Sequence, residues 1–141
     1  FNLNIPILGI CYGRQLIAKN FKGKIKMSIK KREFGRSILL KSKNSLLTKN
    51  FFHTNKCNVW MSHQDSVYEM PKGFSKIAST KESATAIIEN KKKKIYGIQF
   101  HPEVTHTENG KIIFRNFIFN ICKTKKQWKI EIEKKKNYKR D

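Results

Sequence analysis

The stretch Gly9-Ile10-Cys11-Tyr12-Gly13-Arg14-Gln15 constrains this chain more than any other. It follows a short apolar run, Ile5 to Ile10, interrupted only by Pro6 and Gly9, which suits the end of a buried strand better than a helix. Gln15 to Phe21 then carries Leu16, Ile17 and Phe21 at roughly helical spacing, with Gly23 as a stop. A strand, a sharp turn and a helix around one central residue make a nucleophile elbow, in which the side chain stands on a strained turn. The helix behind it aims its N-terminal N–H groups at that side chain, an arrangement that favours a thiolate. Cys11 is therefore expected to attack a substrate, whereas a cysteine on an apolar face would act as a small hydrophobe.

A partner for the thiol stands ninety residues on, in Tyr96-Gly-Ile-Gln-Phe-His101-Pro-Glu103-Val-Thr-His-Thr107. Pro102 biases His101 toward extended backbone, so the strand Ile95 to Phe100 is expected to run up to the histidine. Residues two apart in extended chain face the same way, which brings His101 and Glu103 together. A histidine beside a thiol can take its proton, and a carboxylate behind the histidine fixes the ring's tautomer and stabilises the imidazolium.

Between these two stretches, Lys24 to Ile29 alternates apolar and basic residues as a half-exposed strand would, and Ser37 to Lys41 is a second short strand. Leu46 to Phe52 reads as one or two helical turns. Val59 to Met61 reads as a buried strand entering a polar loop, Ser62 to Asp65. Lys76 to Ser79, Ala84 to Glu89 and Ile95 to Phe100 give three strands separated by turns. Ile112 to Cys122 reads as a helix packed on a sheet, with Arg115, Asn116 and Asn120 on its polar side. The fold class is α/β, with a parallel-type elbow and an antiparallel middle.

With 31 Lys and Arg against 10 Asp and Glu, the formal charge is +21. A charge of that size ordinarily points to nucleic acid. Here the basic residues come as solvated runs, Lys91 to Lys94 and Lys134 to Lys136, with no aromatic platform for stacking bases, so nucleic acid is an unlikely partner. Cys11, Cys57 and Cys122 are odd in number and scattered, which argues against a disulfide scaffold or a metal site and fits a reducing, cytoplasmic setting. No apolar run approaches membrane-spanning length.

These residues carry a family. Gly9-x-Cys11-x-Gly13-x-Gln15 together with His101-Pro102-Glu103 resembles the class I glutamine amidotransferases. The stretches "KREFG" (31–35), "VWMSHQD" (59–65), "HPEVTHT" (101–107) and "NICKTKKQW" (120–128) extend the likeness from about Ile5 to Trp128. They point to the branch that feeds a purine nucleotide synthetase. The resemblance implies a flavodoxin-like three-layer fold, of which residues 1–122 would be the C-terminal part. Residues 123–141 would be a lysine-rich linker toward an ATP-pyrophosphatase, or synthetase, domain.

For the site, the resemblance implies that Cys11, His101 and Glu103 form a triad releasing ammonia from glutamine. The Tyr12 N–H would be one oxyanion donor, and Gln15, Ser62 and His63 would lie around the bound glutamine. No metal or cofactor is implied for this part, while ATP and Mg²⁺ would serve the synthetase domain. The ammonia acceptor would be that domain, in cis or in trans, and the full-length enzyme a cytoplasmic homodimer with no membrane attachment. Two positions depart from the family: Gln64 stands where a glycine is usual, and Arg14 where methionine is common. The chain starts at Phe1, so it is expected to be incomplete at both ends. A glycine-rich loop supplying the second oxyanion donor would lie outside it, and the chain alone is expected to turn over slowly. The alternatives are a separate amidotransferase subunit, or an inactive remnant with a basic nucleic-acid-binding surface.

Overall fold

The computed structural model describes residues 4–27 and 32–125. The first strand, β1 (Ile7–Ile10), leads through Cys11 into α1 (Tyr12–Asn20). The helix thus starts three residues earlier than its apolar spacing suggests, because the turn at Cys11 launches it directly. Then follow β2 (Lys24–Met27), β3 (Glu33–Lys41), β4 (Lys56–His63), β5 (Asp65–Glu69), β6 (Ser75–Ser79), β7 (Ile87–Asn90) and β8 (Ile95–Ile98). The last helix, α2 (Gly110–Arg115), continues as a π-helical segment, Asn116–Ile121.

Six strands form one mixed sheet in the order β1-β8-β7-β6-β3-β4, and β2 pairs with β5 in a separate two-stranded ribbon. β1 and β8 run parallel, with Ile7 opposite Ile95 and Ile10 opposite Ile98, and the other neighbours in the large sheet run antiparallel. Parallel pairing puts the C-terminal ends of β1 and β8 side by side, so Cys11 and the chain leading to His101 leave the sheet at the same edge.

Alternation along β8 shows how the sheet is covered. Tyr96 and Ile98 join the main core with Leu39, Phe51, Val59, Met61, Ile87, Phe100, Ile113 and Ile121, beneath α2. Gly97 faces the other way, where a Cβ would stand 2.9 Å from Arg14 Cγ of α1. Helices on both faces give the three layers expected. Ile17 and Ala18, both buried, seal α1 to its side.

Several local expectations change. The polar loop Ser62 to Asp65 shrinks to a bend at Gln64, because β4 runs on through His63 and β5 begins at Asp65. β5 itself has no signal in the sequence; its pairing with β2 places Val67 against Ile25. Leu46 to Phe51 forms hydrogen-bonded turns in place of a helix. The grouping of Asn116 with the polar side of the last helix is overturned: Asn116 is buried, and its amide donates to the carbonyls of Leu47 and Lys49 at 2.8 Å. It ties the helix to those turns. The expected linker from Lys126 onward, including Trp128, lies outside the described residues.

Candidate active site

Cys11 has φ 51° and ψ −103°, a left-handed backbone that an L-residue adopts only under constraint, at a cost of about 1–3 kcal/mol. Its surroundings hold it there. The Cys11 N–H donates to Ile98 O at 2.8 Å, and the N–H groups of Arg14 and Gln15 donate back to Cys11 O. Gly9 lets the helix sit this close: a Cβ there would lie 2.6 Å from the Gly13 carbonyl carbon and 2.5 Å from Ile17 Cδ1. At Gly13 a Cβ would meet nothing within 4 Å, so only the first glycine of the pair is demanded by packing.

The strand end beside Cys11 is pinned with equal care. The His101 N–H donates to Trp60 O at 3.0 Å, and the Thr107 hydroxyl donates to His101 O at 2.6 Å while accepting from the Trp60 N–H at 3.0 Å. His106 packs tilted against Trp60 with ring centroids 4.6 Å apart, which gives this histidine a place in the loop's support. His101 Nδ1 meets Glu103 Oε1 at 2.7 Å. Among the described residues no hydrogen-bond partner engages His101 Nε2. A ring bound at one nitrogen by a carboxylate and open at the other is arranged to exchange a proton.

The thiol lies among donors. Gln99 Nε2 donates toward Cys11 Sγ at 3.7 Å, the Tyr12 N–H is turned to the same sulfur, and the thiol approaches Ser62 O at 3.7 Å. Burial pushes the Cys11 pKa up and outweighs the lowering by the Tyr12 N–H, the Gln99 amide and the Arg14 charge; Glu103 adds to the rise. The helix start and the nearby cation therefore do not by themselves yield a thiolate, contrary to the expectation from the elbow alone. Taking the proton falls to a base.

The remaining expected site residues take different places. Tyr12 projects its side chain to solvent, 67% exposed, and contributes through its backbone. Gln15 is buried on α1 and Ser62 is exposed at the end of β4. His63 is buried with both ring nitrogens engaged, Nδ1 with Asp65 O at 3.0 Å and Nε2 with Glu33 Oε2 at 3.1 Å. Glu33 Oε1 also accepts from the Thr80 hydroxyl at 2.7 Å. His63 thus braces the bend at Gln64 from below. Gln64 is exposed and adopts no left-handed backbone, so its side chain is accommodated where a glycine was expected.

Two residues outside the expected set complete the site. Gln99 belongs to none of the motifs, although it stands two positions before His101 in the same extended run, where alternation puts both on one side. Arg14, anticipated only as a nearby cation, is fully buried: Nη1 donates to Gln99 Oε1 at 2.5 Å, and Nη2 donates to Thr85 O and, at 2.5 Å, to Thr85 Oγ1. Among the described residues, no cluster of three or more His, Cys, Asp or Glu side chains is placed to hold a metal ion, and no helix is long and apolar enough to cross a membrane.

Comparison with known proteins agrees with this geometry. The family model for glutamine amidotransferase class-I matches residues 1–121. A GMP synthase (glutamine-hydrolyzing) of Brachyspira hyodysenteriae is 50% identical over 128 residues, 91% of this chain and 24% of that protein. The corresponding protein of Treponema denticola is 47% identical over 131 residues, 93% of this chain and again 24% of the relative. The chain therefore spans about a quarter of the length of the curated relatives it matches. Among solved structures, a putative GMP synthase subunit from Thermoplasma acidophilum superposes with a TM-score of 0.80 at 34% identity, covering 94% of this chain and 63% of that one. A glutamine amidotransferase of Thermotoga maritima shares the fold, with a TM-score of 0.65 at 23% identity, over 94% of this chain and 50% of its own. With the match running from the first residue through the elbow and the His-Pro-Glu strand end to the last helix, the chain belongs to the class I glutamine amidotransferases.

Proposed function

We propose that this chain hydrolyses glutamine to glutamate and ammonia, and that the ammonia serves the synthesis of GMP. The observation that carries this reading is the meeting, at one edge of the sheet, of a cysteine on a left-handed elbow with a His101–Glu103 pair whose second ring nitrogen is open. In the reaction, His101 Nε2 takes the Cys11 proton and Sγ attacks the side-chain carboxamide carbon of glutamine. The Tyr12 N–H supports the negative charge that develops on the carboxamide oxygen. As the tetrahedral adduct collapses, His101 returns its proton to the leaving nitrogen, and ammonia departs from a γ-glutamyl thioester. His101 then takes a proton from water, which attacks the thioester; glutamate leaves and Cys11 regains its thiol. Glu103 holds the imidazole throughout.

Gln15 and Ser62 line the glutamine site in this reading, and His63 acts from beneath by holding the bend that follows Ser62. The names and lengths of the relatives support a synthetase portion as the ammonia acceptor, converting XMP to GMP. ATP and Mg²⁺ belong to that portion. Three free cysteines support a reducing, cytoplasmic setting. The test is glutamate release from glutamine by this chain. Slow release that vanishes in Cys11→Ala is expected, and release that survives Cys11→Ala would overturn the proposal.

A further inference from the structure

Arg14 is an unusual residue to find inside a protein without a carboxylate. Its side chain is 0% exposed, no acidic side chain among the described residues pairs with it, and its Nε has no hydrogen-bond partner. A buried guanidinium so placed is unfavourable unless something nearby offsets its charge. Burial lowers its pKa, to about 9 even with Cys11 drawing it back up. The room for it depends on a glycine, since a Cβ at Gly97 would stand 2.9 Å from its Cγ.

The geometry shows what this buried cation does. An arginine can only donate hydrogen bonds, whereas a glutamine amide has one accepting and one donating end. Nη1 of Arg14 holds Gln99 Oε1 at 2.5 Å, which leaves the Nε2 end of the amide facing Cys11 Sγ at 3.7 Å. Gln99 is itself 0% exposed, so no water competes to turn it. The other end of the guanidinium is fixed on Thr85, whose hydroxyl is in turn fixed on Val67 O at 3.0 Å. The chain of contacts runs from β5 through Thr85 and Arg14 to Gln99 and ends on the sulfur.

We propose that Arg14 is a positioning residue for the nucleophile: it locks the Gln99 amide with its oxygen inward, so that an N–H donor faces Cys11 Sγ with a buried positive charge behind it. This rests on Cys11 being the nucleophile of the proposed reaction. Without Arg14 the amide is free to turn and present its oxygen to the sulfur, which opposes the thiolate. The other groups facing the sulfur stay in place: the Tyr12 N–H from α1, Ser62 O from β4, and the charged or titratable His101 and Glu103 beyond β8.

The test is the pH profile of Cys11 alkylation by iodoacetamide in the full chain, read at the Cys11 peptide by mass spectrometry. Arg14→Met, similar in reach but without charge or donors, is expected to move the midpoint up by about one pH unit, so that alkylation at pH 8 slows about tenfold. Gln99→Glu keeps the contact to Arg14 but turns a carboxylate oxygen to the sulfur, and is expected to move the midpoint up at least as far. A purely structural arginine would change the melting temperature and leave these midpoints where they are. An unshifted midpoint in either variant overturns the proposal. Alkylation needs no glutamine turnover, so a chain with shifted midpoints that releases no glutamate would sink the proposed function and leave this inference standing.

Discussion

Two thiols in this molecule sit in opposite electrical surroundings. Cys11 faces an amide N–H and a backbone N–H, with a buried guanidinium behind the amide. Cys57, 3% exposed on β4, lies against Glu108, with Sγ 3.4 Å from its carbonyl oxygen and 3.9 Å from its carboxylate. Burial pushes the Cys57 pKa up and the Glu108 charge pushes it further, to about 12. Burial raises Cys11 as well, and Glu103 adds a little, but there the Tyr12 N–H, the Gln99 amide and Arg14 pull the other way. Removal from water is common to both, so the sign of the neighbouring charges separates the proposed nucleophile from a packed thiol.

The two histidine–glutamate pairs repeat the lesson. His63 and Glu33 are almost sealed, with side chains 1% and 5% exposed, while His101 and Glu103 are 25% and 49% exposed. The first pair has both ring nitrogens engaged, and the second leaves His101 Nε2 open for the proposed proton transfer.

The contrast between the thiols breaks most sharply under substitution. Cys11→Ala is expected to lower glutamate release by at least about 10⁴-fold, whereas Cys57→Ala should leave the rate within a few-fold; one glutamate assay reads both. His101→Ala is expected to cost about 10²–10⁴-fold in the same assay, as loss of a positioned general acid–base does.

The histidine pairs predict a stability effect next in size. Burial pushes the Glu33 pKa up, but hydrogen bonds from His63, Thr80 and Ser37 together hold it below its ordinary 4.5. A depressed carboxylate contributes stability that is fully present above pH 4.5 and is lost as pH falls through its lower folded value. Glu33→Ala should cost about 3 kcal/mol at neutral pH and flatten that acid limb in urea melts run against pH. Glu103→Ala should leave the melts nearly unchanged, since an exposed pair contributes at most about 1 kcal/mol. Smallest of all, Glu108→Gln removes a charge that raises Cys57, and alkylation of that thiol at pH 9 should quicken about tenfold.

How much of this was legible in sequence follows from how local each feature is. The elbow was readable because Gly9, Cys11 and the apolar residues around them lie within one strand and one helix. The contact of His101 with Glu103 followed from their spacing in extended chain. What escaped depends on long-range pairing. β5 carries an ordinary mixed sequence, and only its match to β2 makes it a strand. Asn116 has a polar side chain that suits a solvent face, yet two carbonyls of the turns after β3 claim it. The contact of Arg14 with Gln99 crosses 85 positions, and neither residue announces the other. The thiol's balance is hidden for the same reason, since the helix start is local while the burial that outweighs it comes from the whole sheet edge.

Covalent capture is the sharpest test of whether Cys11 is the nucleophile of a glutamine site. The chain would be treated with an electrophilic glutamine analogue, with and without excess glutamine, and the adduct mapped by peptide mass spectrometry. One adduct is expected, on Cys11, slowed by glutamine and lost in Cys11→Ala. An adduct on Cys57 or Cys122, or labelling of Cys11 that glutamine does nothing to slow, would contradict it.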